Sequence, residues 1–126
     1  MKTVILDTNA LLLPGRFHID VFSQLEGLMD EPFRLTYINK TEDELKKITE
    51  SGSTKDKRAA KLALILLKQK SLKSMSSFGR ESVDDAIVRL SNEDMAVVTL
   101  DKEPKKRLKE RKAVIVTLRQ KKYLIK

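Results

Sequence analysis

The chain has 126 residues, room for one core, and carries 26 Lys and Arg against 18 Asp and Glu, a net charge of +8. With no cysteine and one histidine, His18, it excludes a disulfide scaffold, a thiolate metal site and a multi-histidine zinc site. The basic excess favours a polyanionic partner such as nucleic acid, although a lysine-rich solvated surface gives the same composition.

TVILD (3–7) reads as a short buried strand that ends in a bare carboxylate, Asp7. Asn9 and the leucines 11–13 then return the chain to the core. Residues 18–31 have helical apolar spacing at Ile19, Val21, Phe22, Leu25, Leu28 and Met29, with Pro32 as the stop. FRLTYI (33–38) alternates as a second strand. NKTEDELKKITE (39–50) reads as a helix, in which Thr41 and Glu44 have capping-box spacing. Ser53 or Thr54 can cap the next helix (55–70), whose run from Leu62 to Leu67 is apolar nearly all round and predicts burial. A short strand near 72–75 is followed by a helix capped by Ser82, with Val83, Ala86, Ile87 and Leu90 on one face. MAVVTLD (95–101) is another buried strand ending in an aspartate. KEPKKRLKERK (102–112) is a basic helix with Pro104 in its first turn, AVIVTLR (113–119) a last strand, and QKKYLIK a tail.

Alternation of this kind predicts an α/β fold: a central parallel sheet of about four or five strands, with helices on both faces. No repeat, low-complexity segment or linker divides the chain, so residues 1–126 read as a single domain. No apolar run approaches the ~18 residues of a membrane span. The N-terminus enters a strand pattern directly, without a signal-peptide layout, so the expected compartment is the cytoplasm.

In open α/β sheets ligands bind beyond the carboxyl ends of the strands. Asp7 and Asp101 both end strands, and Glu44, Asp84 and Asp85 sit at starts of helices that follow strands. Topology alone brings these acids to one edge. Carboxylates gathered in this way repel unless a cation joins them. An all-oxygen set suits one or two Mg²⁺ or Mn²⁺ ions, which can activate water against a phosphodiester. Each acid also has an ordinary reading, as a complement to a helix dipole or a turn residue. The coincidence of four is what carries weight.

DTNALLLP, DEL, DDAIV and VVTLDKEPKKRL, in this order, resemble the motifs of the PIN domain, and the resemblance covers essentially the whole chain. It implies a three-layer α/β/α sandwich and a metal-dependent ribonuclease. Asp7, Glu44, Asp85 and Asp101 would then be the four catalytic acids, with Asn9 bracing the first and Thr99 beside the last. Asp85 is favoured as third acid because it directly precedes Ala86, Ile87 and Val88. Asp84 stays a candidate metal ligand beside it, about 100° away on a helix. The stretch from Val98 onward, with the DD pair, is similar to the nucleases that process small-subunit ribosomal RNA precursors, in a compact archaeal-type form. Toxin ribonucleases of toxin–antitoxin pairs match the same acids, and would add an antitoxin partner. Relatives of this kind often pair as homodimers.

Lys102, Lys105, Lys106, Arg107 and Lys109 cluster after Asp101, and Lys46 and Lys47 follow Glu44. Flanking an acidic pocket, they are candidate phosphate contacts, with a solvated helix face as the plainer reading. Few aromatics other than Phe are available, which predicts recognition by shape and backbone more than by base stacking. The leading expectation is an endoribonuclease acting on pre-ribosomal RNA. The alternatives are a toxin ribonuclease and a non-catalytic RNA-binding module. A phosphate-accepting α/β regulator would need a lysine at a later strand end, where AVIVTLR offers none.

Overall fold

The computed structural model describes residues 1–126. Its elements are β1 (Lys2–Leu6), α1 (Thr8–Phe17), α2 (Val21–Leu28), β2 (Phe33–Ile38), α3 (Lys40–Ser51) and α4 (Thr54–Gln69). There follow β3 (Lys73–Met75), α5 (Val83–Leu90), β4 (Met95–Val98), α6 (Lys102–Glu110), β5 (Val114–Arg119) and β6 (Tyr123–Ile125). All strands join one sheet in the order β3-β2-β1-β4-β5-β6. The pairings among β1 to β5 are parallel, and β6 returns antiparallel to β5.

Strand alternation sorts the core into two apolar layers. Val4 and Leu6 of β1, with Ala96 and Val98 of β4, pack among residues of α1 to α4 such as Leu11, Leu25, Leu45 and Ala59. Ile5 and Val97 point the other way, against Ala86 and Ile87 of α5 and Leu108 of α6. Both central strands are buried on two faces, which is why they read as unbroken apolar runs. The expected α/β/α sandwich is therefore present, as a mixed and mostly parallel sheet.

Four details differ from the sequence reading. The sheet has six strands, because the supposed tail forms β6. Its turn places Gln120 and Lys121 at positive φ, a conformation that their residue types do not signal. Second, the stretch after Asp7 is a helix, and α1 runs through Pro14 at the loss of one backbone hydrogen bond. Third, α4 does not bury its leucine-rich face. Ala59, Ala60, Ala63 and Leu67 face inward, while Leu62 and Ile65 stay 37% and 51% exposed. The small face goes inside because α1 approaches closely: a Cβ at Gly15 would lie 2.4 Å from Ala59 Cα. Fourth, α3 is capped by Asn39, whose side chain accepts from Lys40 N–H, so Thr41 is not a cap.

Candidate metal centre

The chain leaves β1 toward β2 and β3 on one side and then crosses to β4 on the other. This reversal opens a crevice at the carboxyl ends of β1 and β4, the place where doubly wound sheets take ligands. A cleft of about 420 Å³ lies there, lined by Asp7, Thr8, Asn9, Glu44, Asp84 and Asp101 among others. One carboxylate oxygen from each of Asp7, Asp84 and Asp101 lies within 4.8 Å of the others.

Asp7 follows β1 directly and is 2% exposed. It is the N-cap of α1: Oδ1 accepts a hydrogen bond from Ala10 N–H at 2.6 Å. Oδ2 is buried and has no hydrogen-bond partner. Burial pushes the carboxyl up to about 6, against the nearby Thr99 hydroxyl and the Ala10 amide, and repulsion from Asp101 and Asp84 adds to the rise. Asp84 is also raised, first by burial and then by Asp101, Glu103 and Glu44. None of the three forms an ion pair with a basic side chain of the protein. An all-oxygen donor set with one orphaned buried oxygen and no ion pair fits a hard divalent cation.

Asp101 caps α6 by backbone position, but its side chain makes no capping hydrogen bond. Cap side chains accept from the second or third amide of the helix, and the third residue here is Pro104, which has no N–H. The carboxylate therefore stays free at the cleft. Thr99 is buried and its Oγ1 accepts from Asp101 N–H at 3.3 Å, which fixes the turn after β4.

The structure turns Asp84 into the cleft and Asp85 away from it. Ser82 caps α5 by accepting from Asp85 N–H at 3.0 Å, and Asp85 Oδ1 accepts from Arg107 Nη1 at 2.8 Å. That guanidinium holds the Asp85 carboxyl below its ordinary value, and the side chain is 54% exposed. The phase of α5 thus places Asp84, and not the favoured Asp85, with Asp7 and Asp101. Glu44 lines the cleft but stands outside the tight group of three. It belongs to no capping box: its Oε1 accepts from Thr8 Oγ1 at 2.5 Å, and Thr8 Oγ1 also lies 3.1 Å from Thr41 Oγ1. This hydroxyl bridge between α1 and α3 escaped the sequence reading, because it joins residues more than thirty positions apart. Asn9 lines the cleft without a hydrogen bond to Asp7 Oδ2.

The basic candidates separate in space. Lys47 lines the cleft. Lys46 faces a different cavity beside Tyr37 and Glu42. Lys105 Nζ donates to Thr117 Oγ1 at 2.9 Å, and Arg107 is held by both Asp85 and Glu103. Lys102, Lys106 and Lys109 are exposed on α6. Lys105 and Arg107 are thus engaged by side chains of the protein itself.

Residues 4–121 match a family described as PIN like domain, and the chain belongs to that family. It is 29% identical over 125 residues to Ribonuclease VapC4 of Methanocaldococcus jannaschii, covering 98% of this chain and 95% of that protein. Among solved structures, the PIN domain endonuclease Utp24 matches with a TM-score of 0.75 at 21% identity, over 97% of this chain and 88% of its own. The resemblance carried by DTN, DEL, DDAIV and VVTLD holds at the level of the family. No helix is long and apolar enough to cross a membrane.

Proposed function

We propose that the chain is a metal-dependent endoribonuclease that hydrolyses RNA phosphodiester bonds at the cleft between β1 and β4, with pre-ribosomal RNA as substrate. The observation that carries this reading is the meeting of Asp7, Asp84 and Asp101 within 4.8 Å without an ion pair to any of them. These three residues would hold one or two Mg²⁺ or Mn²⁺ ions, with Glu44 at the cleft wall completing the acidic set. When bound, the ion supplies a Lewis acid for the phosphoryl oxygen and lowers the pKa of water.

The protein's own residues do the rest. Asp7, raised to about 6, is mostly ionised at neutral pH and would offer its unpartnered Oδ2 as a ligand. The bond from Thr8 fixes Glu44, whose remaining oxygen can orient water or accept its proton. Lys47 offers charge to a phosphate at the rim. Hydrolysis adds water across one P–O bond, leaving one phosphomonoester end and one hydroxyl end.

The test is cleavage of a pre-ribosomal RNA fragment with Mn²⁺ by the wild type and by Asp7→Asn. The wild type is expected to cut at defined positions and the variant to be inert. Cleavage unchanged by the substitution would sink the assignment, and binding without cleavage in any divalent metal would make the chain a binding module. The likeness to Ribonuclease VapC4 over nearly the whole length of both proteins favours a second reading, a toxin ribonuclease with a small antitoxin. Growth arrest on expression, relieved by a co-expressed neighbouring gene, would select that reading over the ribosomal one.

A further inference from the structure

Phe78 is 65% exposed, the most exposed aromatic ring in the chain, and the acidic site makes no use of it. A lone exposed apolar side chain needs no explanation by itself. What distinguishes Phe78 is how it is held and where. It lies in the connection from β3 to α5, which leaves the sheet at its carboxyl edge and ends at Ser82 and Val83, both in the cleft wall. Three residues lie between it and Ser82, a chain reach of about 14 Å at most. The Phe78 backbone is therefore no farther than about 14 Å from the Ser82 wall of the cleft.

The connection is fixed without help from the ring. Asn39 Oδ1 accepts from Ser77 N–H at 3.1 Å and from Ser77 Oγ at 2.9 Å. Lys40 Nζ donates to Gly79 O at 2.9 Å and also to Glu81 O. The Glu81 carboxylate accepts from Phe78 N–H at 3.0 Å and from Arg89 Nε at 2.8 Å. Gly79 has φ +46° with open space where a Cβ would stand, so glycine serves the turn itself. On this braced support the Arg89 guanidinium lies 3.6 Å from the centre of the Phe78 ring. It covers one face by a cation–π contact, and the exposure of the side chain leaves the other outward. Its neighbours along the connection, Ser76, Ser77, Gly79, Arg80 and Glu81, include no other apolar side chain. An exposed ring on a braced support, backed by a cation, is what single-stranded nucleic acid uses for stacking.

We propose that Phe78, backed by Arg89, is a stacking platform for one nucleobase of a single-stranded RNA whose phosphate lies at the Asp7–Asp84–Asp101 cleft. The inference rests on RNA being the ligand. It reverses the expectation that stacking plays little part, because that expectation set the phenylalanines aside.

The chain has no tryptophan, so Phe78→Trp places a single reporter at the platform. Titration in EDTA with a single-stranded RNA of about 10 nucleotides should quench its fluorescence saturably. A sugar-phosphate strand of the same length without bases should not. Phe78→Ala should bind the same RNA about 5- to 100-fold more weakly, with an unchanged melting temperature, and Phe78→Trp should restore the affinity. If the wild type binds the RNA but Phe78→Ala binds equally well and Phe78→Trp is not quenched, the platform is refuted while RNA recognition stands. A wild type that binds no RNA, with or without metal, overturns both. Quenching by a protein partner in place of RNA would assign the ring to a protein interface and overturn the proposal.

Discussion

Replacing Asp7 by Asn should stabilise the metal-free protein. Burial holds the Asp7 carboxyl at about 6 against an ordinary 3.8. At about 1.4 kcal/mol per pKa unit, the ionised group costs the native state about 3 kcal/mol above pH 6. The native carboxyl keeps its proton up to about pH 6, whereas the unfolded one loses it near 3.8. The native state therefore binds the extra proton between these values, and stability falls as pH rises through the window. Asn removes the charge and keeps the Oδ1 that accepts from Ala10 N–H. Its amide donor replaces the unpartnered Oδ2 and lies near two other carboxylates. Thermal unfolding in EDTA from pH 4 to 8 should show no difference at the acid end and a growing advantage for the variant. Above pH 6 the gain should reach about 3 kcal/mol, or roughly 12 °C at about 4 °C per kcal/mol for a chain of this size. With Mn²⁺ at 100 times its dissociation constant, the wild type should gain about 2.7 kcal/mol and close the gap, while the variant should gain little. A variant less stable than the wild type in EDTA at pH 7.5 would refute the account of an uncompensated buried carboxylate.

Asp84→Asn should lower Mn²⁺ affinity and cleavage at least about 100-fold, whereas Asp85→Asn, which loses only an exposed pair with Arg107, should change them less than about fivefold; calorimetry and a cleavage assay on the two variants decide between these neighbours. Pro104→Ala supplies the third amide of α6 and should draw the Asp101 carboxylate back onto its own helix, weakening Mn²⁺ binding about tenfold as read by titration calorimetry. Gly15→Ala should destabilise the protein by about 1–3 kcal/mol in urea unfolding, where an open helical site would gain about 1 kcal/mol, because its Cβ would meet Ala59 Cα at 2.4 Å.

Asp7 and Asp101 were legible because each ends an apolar run, and a parallel sheet sends such ends to one edge. The helix after Asp7 was not legible: Pro14 and Gly15 disfavour a helix, and the close packing of α1 on α4 accommodates them. The orientations of Asp84 and Asp85 were present in the helical pattern. Val83, Ala86, Ile87 and Leu90 set the buried direction of α5, Asp84 flanks it, and Asp85 lies nearly opposite. The family motif pointed to the residue next to Ala86, whereas helical phase points to Asp84. Neither the Thr8–Glu44 bond nor the Arg107–Asp85 pair could be read from one sequence, since each joins elements whose approach is a tertiary fact.

The three aspartates of the cleft stand at the starts of three helices, where side chains ordinarily serve the helix. Each is released differently. Asp7 divides its carboxylate, one oxygen capping α1 and the other left without a partner. Asp84 is freed because Ser82 takes the cap of α5. Asp101 is freed because Pro104 withholds the amide that a cap would use. The N-termini of α1, α5 and α6 also bring their partial positive charge to the cleft, which favours anions there. That field helps three carboxylates stand together, and it would equally favour a phosphate. It does not win at Asp7, where the loss of water outweighs the Ala10 amide and the carboxyl rises to about 6. The remaining deficit is one of positive charge at a site of oxygen ligands, and a divalent cation supplies it without any further side chain.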